Sequence, residues 1–420
     1  MFSTWGALTG LAIAIVLIVR KTAPAYALVA GALAGGLLGG GGLATTVDAM
    51  IGGSQSMMPS VMRILTSGIL AGALVKTGSA GKLADAIVRA LGPRFALAAI
   101  ALATMIVTAV GVFVDIAVIT VAPVALAVGR RAGIPVGALL VAMVGGGKAG
   151  NVISPNPNTI AAAAAFNVDL TSLMAKNIVP AICAFAVTVL VSSFVARRDR
   201  GRQPAPEVST DTPDGDGGGP NMAAAVSGPV VVVILLALRP ICGFAVDPLV
   251  ALPAGGLVSI VACGAWRNTA AYCEFGLSKV VGVSILLVGT GAVAGIVKNS
   301  GLNADMISLL EAWRLPAFAL APVSSILLSG ATASTTAGVT IAAQTFSGTL
   351  VEAGVPALSA AAMLHAGGTI FDALPHGSFF HATAGAVGMS VKERLRLFPY
   401  GTMVGLTTTL SSVAMHLLGF

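Results

Sequence analysis

The stretch Gly145-Gly146-Gly147-Lys148-Ala149-Gly150-Asn151-Val152-Ile153-Ser154-Pro155-Asn156-Pro157-Asn158 interrupts what is otherwise a membrane-grade apolar helix. It follows Gly133-Ile134-Pro135 and an apolar run. A second stretch has the same plan: Gly354-Val355-Pro356, an apolar run, Gly367-Gly368, then Thr369-Ile370-Phe371-Asp372-Ala373-Leu374-Pro375-His376-Gly377-Ser378. In lipid, an interrupted helix frees backbone groups that need protein, water or a ligand as partners. Two such breaks at corresponding points of two halves form the pattern of a transporter's mid-membrane site.

Composition supports the membrane reading. The chain is 56% hydrophobic and 9% charged, where a soluble protein carries about 25% charged residues. A polytopic, all-α membrane protein follows, with its 52 glycines suited to close helix packing. The formal net charge of +7 is no nucleic-acid footprint, because the basic residues sit at the ends of apolar runs. Cys183, Cys242, Cys263 and Cys273 are scattered without a C-x-x-C pair, so neither a disulfide framework nor a metal site is expected. Arg20-Lys21 follow the first apolar run rather than precede it, the wrong polarity for a cleaved signal peptide, so the first helix is expected to be retained.

Apolar runs predict spans at 4–19, 24–43 and 59–75, then a run at 95–128 without one Lys or Arg. That run is too long for a single helix of about 20 residues, and the kink at 111–115 makes it a helical hairpin. The broken segment 134–166 and a span at 178–195 complete the first repeat, 1–195. A charged, Pro- and Gly-rich stretch, 196–221, reads as a disordered cytoplasmic linker. The second repeat, 222–420, has spans near 226–244, 249–266 and 280–297, a hairpin at 318–346, a broken segment at 355–389 and a last span at 398–418. Gly68, Ala71, Gly72 and Gly78 match Gly291, Ala294, Gly295 and Gly301 at one offset of 223, which supports duplication.

Charge sets the orientation. With the linker in the cytoplasm, 17 Lys and Arg residues fall inside and 4 outside, with Arg63 and Lys148 left within the membrane. Both chain ends then lie outside. Each repeat crosses the bilayer an odd number of times, so the second runs inverted. The fold expected is therefore two inverted-topology repeats, each with a re-entrant hairpin and a broken transmembrane helix.

The polar residues concentrate where hairpins and breaks would meet. Asp115, at the first hairpin tip, costs roughly 2.5–3.5 kcal/mol to insert in the membrane, which argues for a functional role or a structural pair with Lys or Arg. At the second tip, Ser334, Thr335 and Thr336 offer hydroxyls. In the first break, Asn151, Ser154, Asn156, Asn158 and Thr159 offer amides and hydroxyls, and the half-helix after Asn158 would aim its N-terminus at an anion. Lys148 is open to two readings: neutralising a substrate carboxylate, or pairing with Asp115 or Asp372. Asp372, His376 and His381 bring titratable groups to the second break, and His is the side chain that titrates in the physiological range. His365 and His416 read as structural. No H-E-x-x-H, G-x-S-x-G or G-x-x-x-x-G-K-[ST] occurs, so neither an enzyme nor an ATP-driven pump is expected, and no cofactor.

Several of these residues also carry a family likeness. Val112-Phe113-Val114-Asp115 with Pro123 downstream, Pro155-Asn156-Pro157, Ala333-Ser334-Thr335-Thr336, Leu374-Pro375-His376 and Val391-Lys392-Glu393-Arg394 resemble the gluconate permease (GntP) family of the ion-transporter superfamily. The resemblance spans nearly the whole chain. It implies proton-coupled uptake of gluconate or a related small hydroxy acid by a homodimer, in which a transport domain of hairpins and broken helices moves like an elevator. Sugar-acid members tend to carry Pro-Pro-His-Pro-Gly-Pro where Ser154-Pro155-Asn156-Pro157-Asn158-Thr159 stands here, and often Glu in place of Asp115. Leu374-Pro375-His376 looks more like members suspected of carrying short hydroxy acids such as 3-hydroxybutyrate.

The resulting expectation is an organic-anion/proton symporter of the bacterial inner membrane. Asp115, Asp372 and His376 would serve proton coupling. Asn151, Ser154, Asn156, Asn158, Thr159, Ser334, Thr335, Thr336 and Lys148 would serve substrate binding. A sodium-coupled dicarboxylate or citrate carrier is one alternative, and a cation/proton antiporter using Asp115 and Asp372 is another.

Overall fold

The computed structural model describes residues 1–199, 219–242, 244, 246–312, 316–375 and 377–420. Helices dominate them, and the one extended pairing is an isolated bridge between Phe2 and Ser300. The first half contains α1 (Thr4–Val19), α2 (Pro24–Leu38), α3 (Leu43–Ser56), α4 (Met58–Lys76), α5 (Ser79–Leu91), α6 (Ala96–Ala109), α7 (Val114–Ala132), α8 (Val136–Asn151), α9 (Pro157–Ala165), α10 (Leu170–Lys176) and α11 (Ile178–Arg198). The second half contains α12 (Met222–Cys242), α13 (Pro248–Ala262), α14 (Thr269–Lys298), α15 (Leu302–Ala312), α16 (Leu320–Thr332), α17 (Thr335–Glu352), α18 (Ala357–Gly367), α19 (Ser378–Gly385) and α20 (Val391–Leu417). The chain turns between α6 and α7 and between α16 and α17, the two hairpins, and is interrupted between α8 and α9 and between α18 and α19, the two breaks.

Several elements depart from the expected spans. The run 24–43 stops as a helix at Leu38, because Gly39–Gly42 turns the chain, with Gly40 at φ +88°. A separate helix, α3, then leads to α4, whose start is marked by Pro59 in its first turn. The counterpart α14 is one helix of 30 residues and starts well before the expected 280. The amphipathic α5 escaped the search for apolar runs, because Lys82, Asp85 and Arg89 interrupt it while Ala80, Leu83, Ala84 and Val88 are buried. The helix preceding the proposed linker continues to Arg198, and residues 200–218 of that linker lie outside the described ones.

The helices pack as two bundles. The first gathers α1–α4 with α12–α14, and the second gathers α6–α11 with α16–α20, with α5 packed against α6, α7 and α12. In the first bundle, α14 crosses both α3 and α4 at glycines. A Cβ on Gly276 would sit 1.9 Å from the Gly68 carbonyl oxygen, and one on Gly295 would sit 2.0 Å from that of Ala49. The contacts are reciprocal: Gly276 meets Gly68 and Gly72, while Gly53 meets Gly291 and Gly295. At the offset of 223, Gly53, Gly68 and Gly72 are the mates of Gly276, Gly291 and Gly295. Reciprocal contacts of this kind are the mark of two-fold symmetry, here between the halves of one chain.

Several contacts join distant segments of the chain. The Phe2 N–H donates to the Asn299 carbonyl at 2.8 Å, the Ser3 N–H donates to that of Gly39 at 2.9 Å, and Lys176 reaches the Phe420 carbonyl. Arg198 donates to the Tyr400 hydroxyl at 2.7 Å and Lys76 sits 4.5 Å over the Phe275 ring.

Candidate functional site

The first break is built by its asparagines. Asn156 caps α9, its Oδ1 accepting from the backbone N–H of Asn158 (2.9 Å) and Thr159 (3.2 Å), while Pro157 starts the helix without needing a donor. Its amide nitrogen donates back to the Asn151 carbonyl (3.0 Å) and Oδ1 (2.6 Å), and Asn158 Nδ2 donates to the same Oδ1 at 3.1 Å. Ser154 ties the loop to the first hairpin by donating to the Thr108 carbonyl at 2.7 Å, and Thr159 Oγ1 donates to the Ser154 carbonyl at 2.6 Å. All five side chains are buried. The helix leading in can pack this tightly because its glycines expose backbone: a Cβ on Gly146 or Gly150 would lie 2.1 or 2.2 Å from carbonyl oxygens of α6.

The second break is held by side chains from other elements. Lys148, only 1% exposed, extends from α8 to lie 2.7 Å from Asp372 Oδ1. Its directed hydrogen bonds go to the carbonyls of Thr369 (2.6 Å) and Gly401 (3.2 Å). Thr335, in the first turn of α17, donates to Asp372 Oδ2 at 2.8 Å. Of the alternatives open for Lys148, the structure adopts the pair with Asp372. A charge pair this deep needs good geometry and further hydrogen bonds to offset its desolvation, and Lys148 has both.

The two hairpin tips complete the arrangement. Gly111 at φ +112° turns the first, which places Asp115 in the opening turn of α7. Ala333, at φ +47°, turns the second, a conformation a Cβ disfavours and one that clusters at functional sites. Ser334 then caps α17 by accepting from the Ala337 N–H.

Tips and breaks enclose one cavity of about 240 Å³, lined by Asp115, Asn151, Asn158, Ser334, Thr335, Thr336, Asp372 and Ser378, with Phe113, Val114, Ala333 and Phe379. Its remaining wall is α14, through Lys279 and Val283. Within it, Asn158 Oδ1 is buried without a hydrogen-bond partner among the described residues, an acceptor available to a ligand. Ser154, Asn156 and Thr159 do not line the cavity and act as braces behind it. His376 lies outside the described residues. His381 is exposed, with Nε2 2.7 Å from the Pro375 carbonyl oxygen, and His416 packs against Phe318. Two other cavities, of about 560 and 300 Å³, are larger. Neither touches a hairpin tip, so size does not identify the site here.

The profile of the GntP family permeases matches residues 4–418. The chain belongs to the GntP permease family. It is 50% identical over 410 residues to an uncharacterized transporter of Haemophilus influenzae, covering 98% of this chain and 97% of that one. Among solved structures, it resembles the Alcanivorax borkumensis YdaH transporter, described as having an unusual topology, with a TM-score of 0.65 over 90% of this chain and 89% of that one. At 18% identity the likeness concerns the fold. This GntP permease is thus a multi-pass membrane protein and a secondary transporter. Among the described residues, three helices, including Met58–Lys76 and Ile178–Arg198, are long and apolar enough to cross a bilayer unaided.

Sequence reasoning missed two cationic residues of the permease's site region. Lys279 counted only as a loop charge, yet α14 begins ten residues earlier and carries it to the cavity wall. Arg394 stood in the family motif without a role. It is 2% exposed, sits 5.4 Å over the Phe380 ring, and among the described residues its Nε and Nη2 have no hydrogen-bond partners. The signal for both was a basic residue beside an apolar run, which is ordinary in membrane proteins.

Proposed function

We propose that the protein is a proton-coupled symporter of a small hydroxy-acid anion in the bacterial inner membrane, with the linker cytoplasmic. The observation that carries this reading is the cavity where both hairpin tips and both breaks converge. A space of about 240 Å³ is smaller than the ~300–1,000 Å³ pockets of drug-sized ligands, and a short hydroxy acid suits it. Lys279 would neutralise the carboxylate. Ser334, Thr336 and Ser378 would donate to carboxylate oxygens, and Asn158 Oδ1 would accept from a substrate hydroxyl, with Asn151 behind them. Asp115 is the coupling carboxylate: it faces the cavity, and among the described residues no salt bridge ties it as Lys148 ties Asp372. Asp372 and His376 contribute through the second break. The second bundle moves with its cargo against the first, within a homodimer.

The test is uptake of labelled 3-hydroxybutyrate and gluconate into proteoliposomes under an imposed pH gradient or an imposed sodium gradient. Accumulation driven by protons is expected. Drive by sodium alone, or exchange of protons for a cation without organic acid, would replace the proposal with one of its alternatives. Asp115→Asn should abolish proton-driven accumulation while sparing substrate exchange. Equal loss of both would move Asp115 from coupling to binding.

A further inference from the structure

Apart from Lys279 and Val283, every residue lining the site cavity comes from the second bundle. At the repeat offset of 223 their mates are Ser56 and Ser60. Both mates line the separate cavity of about 560 Å³. The glycine contacts between α3/α4 and α14 are reciprocal at that same offset, so the two walls are related surfaces of one symmetric bundle. One wall faces the hairpin tips, and its mate faces the second cavity.

Opposite Ser56 and Ser60, the second cavity is closed by Ile160, Ala163, Ala164 and Asn167. Their spacing is one face of α9 and its C-terminal turn. The start of the same helix carries Asn158 into the first cavity. At 1.5 Å per residue, α9 spans roughly 14 Å. Sliding the second bundle by about that length along α9 would bring Asn158 level with the α4 wall.

That wall has its own cation. Arg63 lies three residues beyond Ser60, with its side chain 31% exposed, and binds Asp247 through Nε (2.9 Å) and Nη2 (2.7 Å). Among the described residues, this leaves the Nη1 hydrogens without a partner. The acids facing the cavity are Asp247 and Asp169, and Asp169 is already engaged as the cap of α10.

We propose that this second cavity is the anion's other station, where Arg63 meets the substrate carboxylate as Lys279 does at the first. The inference rests on the transport reading above, but its first test needs no substrate. In full-length protein whose native cysteines are replaced by serine, Val283→Cys with Thr336→Cys, and Ser60→Cys with Thr336→Cys, are treated in proteoliposomes with a short bifunctional thiol reagent. Both pairs should cross-link, and either cross-link should stop transport. Failure of the Ser60 pair under every imposed gradient, while the Val283 pair forms, overturns the second station whatever the substrate is.

The cation's role is read from direction. With a labelled hydroxy acid that the wild type carries, Arg63→Gln should raise half-saturation about tenfold from its own face and change the other less than about twofold, as expected for one charge-assisted contact. Lys279→Gln should do the reverse, and Arg63→Lys and Lys279→Arg should retain most affinity. Equal effects on both faces, or none, overturn the assignment. Cross-linking of both pairs without hydroxy-acid transport would sink the substrate reading alone.

Discussion

The two breaks look alike in sequence and are held together differently. The first is held mainly by its own side chains: Asn151, Asn156 and Asn158 bond one another and Thr159 bonds Ser154 within the same loop, while Ser154 reaches the Thr108 carbonyl of the first hairpin. The second depends on others, since Asp372 is met by Lys148 from α8 and by Thr335 from the opposite hairpin tip. A loop that closes on itself moves as a rigid piece of its helix. A loop held by a charge and a hydroxyl from two other elements registers any change in them. The first break therefore positions groups, and the second senses whether hairpin and broken helix are in place.

The hardest test of that contrast is removal of Lys148. Lys148→Met should destabilise the protein by about 3–5 kcal/mol, because a carboxylate is left buried without its partner. The double variant Lys148→Met/Asp372→Leu should recover most of this, since an apolar pair of similar volume is tolerated, yet it should not transport. Thermal unfolding in detergent, read beside proteoliposome uptake, checks both. If Lys148→Met lowers stability no more than the loss of one asparagine in the first break, the contrast is wrong.

Smaller changes sharpen it. Thr335→Val removes a hydrogen bond to a charged group and should cost about 1.5–3 kcal/mol. Asn156→Ala removes a helix cap and should cost about 1 kcal/mol. Thr335→Val combined with Asp372→Asn should be clearly non-additive, because the two side chains touch. Thr335→Val combined with Asn156→Ala should add to within about 0.3–0.5 kcal/mol. Strong coupling in the second combination would mean that the first break is not self-contained.

How much of this was legible depended on the range of the interaction. Breaks and hairpins could be read because Gly-Gly-Gly, Pro155-Asn156-Pro157 and the long uncharged run act locally on backbone and length. The cap at Asn156 is equally local. The Lys148–Asp372 pair joins different repeats, and the sequence left it as one of several partnerships, since any buried cation can satisfy a buried carboxylate. Lys279 was lost for a different reason: a hydropathy window ends a helix where charge begins, whereas α14 continues through it. The repeated glycines signalled duplication, but only packing shows that they let α14 cross α3 and α4 at backbone distance.

The smallest effect should come from the pair that lies outside both breaks. Asp247 caps α13, its carboxylate accepting from the Leu249 N–H at 2.9 Å, and the Arg63 guanidinium hydrogen-bonded to it holds its carboxyl below the usual value. Its side chain is 43% exposed, so water screens the pair and Asp247→Asn should lower stability by less than about 1 kcal/mol. Asparagine caps a helix nearly as well, so the substitution tests charge alone. Because the folded carboxyl is depressed, the pair's contribution is present above the ordinary carboxylate range near ~3.9 and is lost as pH falls through the folded value. The difference in unfolding temperature between wild type and Asp247→Asn should therefore narrow on acidification. If Arg63 is held in reserve for an anion, releasing it must also show in transport. Asp247→Asn should lower half-saturation from the Arg63 face even as it slightly loosens the fold, whereas a purely structural pair would lose stability and gain no affinity.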